Sequence, residues 1–119
     1  MRSEQPEADK LAALIDSVRA LEAAGIRYAL IGGLAVGVHA GVPRATLDID
    51  FAVHLAKGRE KAVQALQSAG LTKTGDFTHS VNFRHASGEP VQLAFDPEFD
   101  TMIDRAESFD VGEIGRAHV

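Results

Sequence analysis

Asp48-Ile49-Asp50 places two carboxylates two residues apart in Arg44-Ala-Thr-Leu-Asp-Ile-Asp-Phe-Ala-Val-His-Leu55. In an extended strand, alternation puts Asp48, Asp50, Ala52 and His54 on one face. Ile49, Phe51, Val53 and Leu55 then make an entirely apolar opposite face. Two carboxylates projecting side by side repel, and without a cation one is pushed towards its neutral form. A divalent metal held by both is the most economical positive partner. The plainer alternative is a solvated strand start, and an Asp-x-Asp pair alone does not decide between the two.

The elements around this pair must position it. From Glu7 to Ala24, Leu11, Leu14, Ile15, Val18 and Leu21 follow the spacing of an amphipathic helix, with Gly25 as its C-cap. Residues 1–6 read as a frayed, disordered tail. Arg27-Tyr-Ala-Leu-Ile31 reads as a buried strand running into Gly32-Gly33, and Leu34 to Ala40 as a short helix ended by the turn Gly41-Val-Pro43. Glycines between a strand and a helix let a backbone approach a bound group, and helix-start N–H groups favour an anion such as phosphate. A tight turn is the alternative reading of Gly32-Gly33. Gly32 and Gly37 have Walker A spacing, but Val38 and His39 stand where Lys and Ser/Thr are needed. The dinucleotide fingerprint G-x-G-x-x-G is also missing.

Arg59 to Ala69 has helical spacing and is capped by Gly70, and Leu71 to Phe77 reads as strand or loop. Val81-Asn-Phe-Arg-His85 and Val91-Gln-Leu-Ala-Phe95 alternate with period two around Ser87-Gly88-Glu89-Pro90, which predicts a hairpin. The register expected sets Phe83 opposite Leu93 and Arg84 opposite Gln92. Its polar face carries Asn82, Arg84, Gln92 and, at the strand end, Asp96. Asp100 is read as the N-cap of a short helix to about Ala106, and Phe109 to Val119 as an edge hairpin or tail. His54 reads as a solvated strand residue, and His39, His79, His85 and His118 show no paired metal-ligand spacing.

The chain has 119 residues, 45% hydrophobic and 24% charged, which suits a single domain over 1–119 with one core. No apolar run reaches membrane-spanning length, and cysteine is absent, so thiolate metal sites and disulfides are excluded. A cytoplasmic location is expected. The net charge of −5 argues against a large nucleic-acid footprint but not against a small nucleotide held through metal.

Taken together as Ile31-Gly-Gly-Leu-Ala35 and Pro43-Arg-Ala-Thr-Leu-Asp-Ile-Asp50, the chain resembles the nucleotidyltransferase superfamily related to DNA polymerase beta. It looks most similar to the small bacterial branch of minimal nucleotidyltransferases and AbiEii-like toxins of toxin–antitoxin pairs. The resemblance is strong over residues 26–55 and looser over 81–106. It implies an α/β (α+β) fold, a small mixed twisted sheet of four to five strands with helices packed on one side. It implies Mg²⁺ on Asp48 and Asp50, a triphosphate on Gly32 and Gly33, and Arg44 and Thr46 at the positions leading into the carboxylates. It also implies transfer of a nucleoside monophosphate from NTP to a hydroxyl of RNA or protein, with a cognate antitoxin as a further partner. The chain departs from the pattern at Gln92, where a third carboxylate is expected; Asp96 follows on the same face, roughly 13 Å further along an extended strand, and is the catalytic candidate in its place if the strand bends there. An amide ligates or hydrogen-bonds but takes no proton, so a catalytically inactive, nucleotide-binding or interaction module is the alternative function. A C-terminal helical part, usual in such proteins, is expected to be absent.

Overall fold

A computed structural model describes residues 6–31, 48–55, 58–105, 108–109 and 117–118. The element order is α1 (Pro6–Ala23), β1 (Tyr28–Ile31), β2 (Ile49–Val53), α2 (Arg59–Ser68), β3 (Thr72–Asp76), β4 (Ser80–Arg84), β5 (Pro90–Ala94), α3 (Glu98–Asp104), β6 (Ser108–Phe109) and β7 (Ala117–His118). The main sheet has five strands in the order β1-β2-β5-β4-β3. β2 and β5 are parallel and the other neighbours antiparallel, so the sheet is mixed, as expected. β6 and β7 form a separate antiparallel pair, the hairpin alternative for the C-terminal stretch. The expected helix from Leu34 to Ala40 and the turn after it lie outside the described residues.

α1 and α2 pack on one face of the sheet. Leu14, Val18 and Leu21 of α1 and Ala62 and Leu66 of α2 are buried against Tyr28, Leu30, Ile49, Phe51, Val53, Val81, Phe83, Val91 and Leu93. The helical period of α1 was legible, but its stripe is displaced from the expected one. Leu11 is 40% exposed, while Lys10 and Ser17 are buried beside Ala13, Leu14 and Val18. Lys10 can be inside because its Nζ lies 2.9 Å from Oε2 of Glu89, itself buried. α1 also starts at Pro6, inside the expected tail; proline suits a first helical turn, whose N–H has no intrahelical acceptor.

Both long helices end as their glycines predict. Gly25 and Gly70 have φ of 69° and 94°. In each case the next residue's N–H reaches back to close the last turn, Ile26 to Leu21 at 2.9 Å and Leu71 to Leu66 at 3.1 Å.

The hairpin register differs from expectation by two residues. Asn82 pairs with Gln92, Phe83 with Val91 and Arg84 with Pro90. The turn closes one pair earlier, with His85 N–H on Glu89 O at 2.9 Å and Gly88 N–H on His85 O at 2.8 Å. Gly88, at φ 94°, must be the last residue of that turn, because an L side chain resists this conformation. A shift of two preserves the alternation, so Val81, Phe83, Val91 and Leu93 still share the buried face.

The third helix corrects two expectations. It starts before Asp100: the Asp96 carboxylate accepts the Glu98 N–H at 2.9 Å, with Pro97 at the helix start. It also lies on the sheet's other face, where Ile103 and Phe99 pack on Ala29, Ala52 and Ile31. Small side chains at 29 and 52 let the helix approach the strands. His54 is therefore partly buried, with Nε2 3.6 Å from Asp104 and Nδ1 3.9 Å from Asp100, instead of solvated. Helices on one side is thus right for α1 and α2, while α3 takes the end of the opposite face.

Candidate active site

Among the described residues, α3 covers the β1–β2 end of the face opposite α1 and α2, where Ile103 and Phe99 pack on Ala29, Ala52 and Ile31. Ile49 and Phe51 are fully buried, and this anchors β2 so that Asp50 must point to the other face. The expected parity holds for Asp50, and Asp48 is exposed just before the strand. On one side of Asp50, β1 presents Ile31, its direct partner and the residue immediately before Gly32. On the other side the parallel strand β5 presents Gln92, also in direct register. Asn82 of β4 follows next to Gln92, and Gly75 of β3 next to Asn82.

A cavity of about 290 Å³ lies along this row, lined by Asp48, Asp50, Gln92, Asn82, Arg84 and Thr74, among others. Burial, and then the charge of Asp48, push the Asp50 pKa above its ordinary 3.8, and the Lys10 ammonium opposes them. Arg84 is committed by its Nη1, which donates to Gly88 O at 2.8 Å. It faces Pro90 and not Gln92, which removes the cross-strand partnership expected for it.

Of the residues singled out from the sequence, the fold brings together Asp48, Asp50 and Gln92. Asp96 does not line the cavity; its Oδ1 serves the start of α3. Gly32, Gly33, Arg44 and Thr46 lie outside the described residues. Thr74 was not anticipated: β3 carries an irregularity between Lys73 and Gly75, and a bulge of this kind re-aims a side chain out of its strand parity. Lys10 was not anticipated either, since nothing in a helical pattern reveals a buried ammonium.

No group of three or more His, Cys, Asp or Glu side chains that could hold a metal occurs among the described residues. The oxygen donors on the cavity are the Asp48 and Asp50 carboxylates, the Gln92 and Asn82 amides and the Thr74 hydroxyl, all hard. Such a set suits a cation that keeps water or phosphate oxygens in its remaining positions, as Mg²⁺ does. Two carboxylates side by side concentrate negative charge, which favours a cation between them.

Comparison with known families matches aminoglycoside-2''-adenylyltransferase over residues 13–108. The chain belongs to this family. It is a nucleotidyltransferase-type family, so the superfamily inferred from Gly32-Gly33 and the Asp-x-Asp strand holds. The matched span runs from within α1 to the first residue of β6, and includes every residue of the cavity. Membership implies a nucleoside triphosphate as substrate. A comparison with curated proteins found no match. No helix of the described residues is long and apolar enough to cross a membrane.

Proposed function

We propose that the protein is a Mg²⁺-dependent nucleotidyltransferase that moves AMP from ATP to a hydroxyl group of an aminoglycoside. The observation that carries this is the juxtaposition of Asp48, Asp50 and Gln92 at one cavity inside the span matched by an adenylyltransferase family. The acceptor is taken from the family's name. The net charge of −5 is compatible with an acceptor that bears several ammonium groups.

Asp48 and Asp50 would hold the metal. When bound, the ion neutralises phosphate charge and orients the triphosphate against the acceptor. Asp50 is the more buried of the two, so its charge is the less screened by water. Gly32 and Gly33, entered from Ile31 beside Asp50, are assigned to the triphosphate, with Arg44 and Thr46 assisting. The acceptor oxygen bonds to the α-phosphorus, the bond to pyrophosphate breaks, and one proton is released. Gln92 orients the acceptor hydroxyl through its amide but accepts no proton. Asp96 is held at the start of α3, so its assignment to catalysis requires that cap to open. ATP as donor places the activity in the cytoplasm.

Gln92 favours a second reading, an inactive relative that binds the nucleotide and acts as an interaction module. Incubation with ATP labelled at the α-phosphate and Mg²⁺ separates the two, with aminoglycosides, tRNA and protein offered as acceptors. Label on an aminoglycoside, lost in Asp48→Ala, supports the proposal. Label on tRNA or protein would move the acceptor to the toxin–antitoxin kind, with an antitoxin as partner. Nucleotide binding without transfer to any acceptor would leave the module.

A further inference from the structure

The row that begins at Asp50 continues beyond the residues given a role above. It runs Asp50, Gln92, Asn82, Gly75 across four strands. Strands lie about 4.8 Å apart, so the row extends about 14 Å from the carboxylate. Its far end carries an aromatic ring. A Cβ built on Gly75 would stand 2.8 Å from Cε2 and 3.2 Å from Cζ of Phe77, and 3.5 Å from the Asn82 amide nitrogen. The Phe77 ring therefore folds back over Gly75, on the same side as the Asn82 amide. Gly75 has no positive φ, so glycine is needed there for room and not for conformation.

Phe77 is 56% exposed, the most exposed large apolar side chain among the described residues. Its backbone is nevertheless fixed. Phe77 N–H donates to Ser80 O at 2.8 Å. From the opposite face, the Arg59 guanidinium donates to the carbonyls of Phe77, Thr78 and Ser80 and to the Asp76 carboxylate. Arg59 itself stacks on Phe95, 5.3 Å from the ring centroid. An exposed ring on an immobilised turn gains nothing for the core. It presents a flat apolar surface in line with two amides.

Planar amides beside an exposed aromatic ring are the pairing that sugars use. The amides hydrogen-bond adjacent hydroxyls, and the C–H face of a pyranose lies on the ring. We infer that the row Gln92–Asn82–Gly75 is a track for a multi-ring glycoside acceptor, with Phe77 as the platform for the ring furthest from the reacting hydroxyl. The inference rests on the transferase reading for its direction, because it puts the acceptor on the β5 side of Asp50 and the triphosphate on the β1 side. Asn82 and Phe77 are specificity residues here and touch no reacting atom.

Calorimetric titration of the full chain tests this, with kanamycin as the multi-ring probe, glucosamine as the single-ring probe and a non-hydrolysable ATP analogue. Phe77→Ala and Asn82→Ala are expected to weaken kanamycin binding about tenfold. Both should leave the affinity for the ATP analogue and the thermal midpoint unchanged, and Phe77→Ala should leave glucosamine unaffected. Phe77→Trp should restore kanamycin binding. The chain contains no tryptophan, so the fluorescence of that variant should shift as the glycoside stacks. Kanamycin binding unchanged in Phe77→Ala, equal losses for both sugars, or no kanamycin binding by the wild-type chain with the ATP analogue and Mg²⁺ present would each overturn the track. Kanamycin binding that depends on Phe77 in a chain that binds no ATP analogue would keep the track and discard the transferase.

Discussion

Lys10 and Glu89 lie 2.9 Å apart with both side chains buried, whereas Asp48 and Asp50 set like charges together at the edge of a cavity. The first pair belongs to a polar junction between α1 and the β4–β5 turn. Asp16 Oδ2 lies 2.6 Å from His85 Nε2, and His85 Nδ1 accepts the Ser87 N–H at 3.1 Å, which leaves the proton on Nε2. Ser87 Oγ donates to the same Nδ1 at 2.8 Å and lies 3.4 Å from the Asp9 carbonyl. Lys10 and Glu89 meet there as opposite buried charges, while Oδ2 of Asp9 is buried without a hydrogen bond among the described residues. At the carboxylates, among the described residues, the Lys10 charge opposes burial and the repulsion of Asp48 on Asp50. The buried Lys10–Glu89 pair is compensated within the fold, whereas like charges side by side at Asp48 and Asp50 favour a cation.

Asp50→Asn should break the contrast most strongly. If the carboxylates hold the cation, labelled-nucleotide transfer should fall by about 10³-fold or more, the loss of several kcal/mol of charge stabilisation. Its effect on stability should have the opposite sign. The fold raises the Asp50 pKa, so the protonated carboxyl is favoured. That favourable contribution is complete below the unfolded-state value of 3.8 and is lost as pH rises through the folded-state value. Calorimetric scans should therefore find ligand-free Asp50→Asn melting above the wild type at neutral pH, with the difference vanishing in acid. Equal midpoints at neutral pH would mean that Asp50 is already compensated.

Lys10→Met tests the other half. Stranding Glu89 in the interior should cost about 3–5 kcal/mol in denaturant unfolding, and the double variant with Glu89→Leu should recover most of it. A single variant that unfolds like the wild type would make the junction ornamental. Gly88→Ala should cost about 1–2 kcal/mol in the same assay, because alanine at φ 94° is strained, and it should leave nucleotide affinity alone. The smallest effect is expected at Asp76, where the hydrogen bond from Lys73, followed by charge interactions with Lys73 and Arg59, lowers the pKa. Its contribution is present above 3.8 and lost as pH falls through the lowered value, so Asp76→Asn should shift the midpoint slightly at neutral pH and not at all in strong acid.

Much of the site could be read before the fold was known, for reasons of period. Alternation is a local property, so Asp50 opposite the apolar set of Ile49, Phe51 and Val53 follows from the residues themselves. Gln92 on the polar face of its strand follows from the same alternation, and the parallel pairing sets it directly beside Asp50. The hairpin register was not, because it depended on which turn residue takes the positive φ, and Gly88 allows one answer. The start of α3 was misread for a similar reason. Asp96 and Asp100 both have the chemistry of a cap, and Asp96, followed by Pro97, is the one whose carboxylate accepts the Glu98 N–H.

The residues by themselves determined which side chains of the strands share a face, where α1 and α2 end, and the nucleotidyltransferase superfamily. The first two are set by neighbours within a few positions, through backbone period and the freedom of glycine. Tertiary structure alone decided that Lys10 is buried, that α3 lies over Ala29 and Ala52, and that Phe77 stands at the end of the row from Asp50. Those outcomes depend on partners 20 or more positions away, and no local rule reports whether such a partner arrives to compensate a charge or leaves a face open.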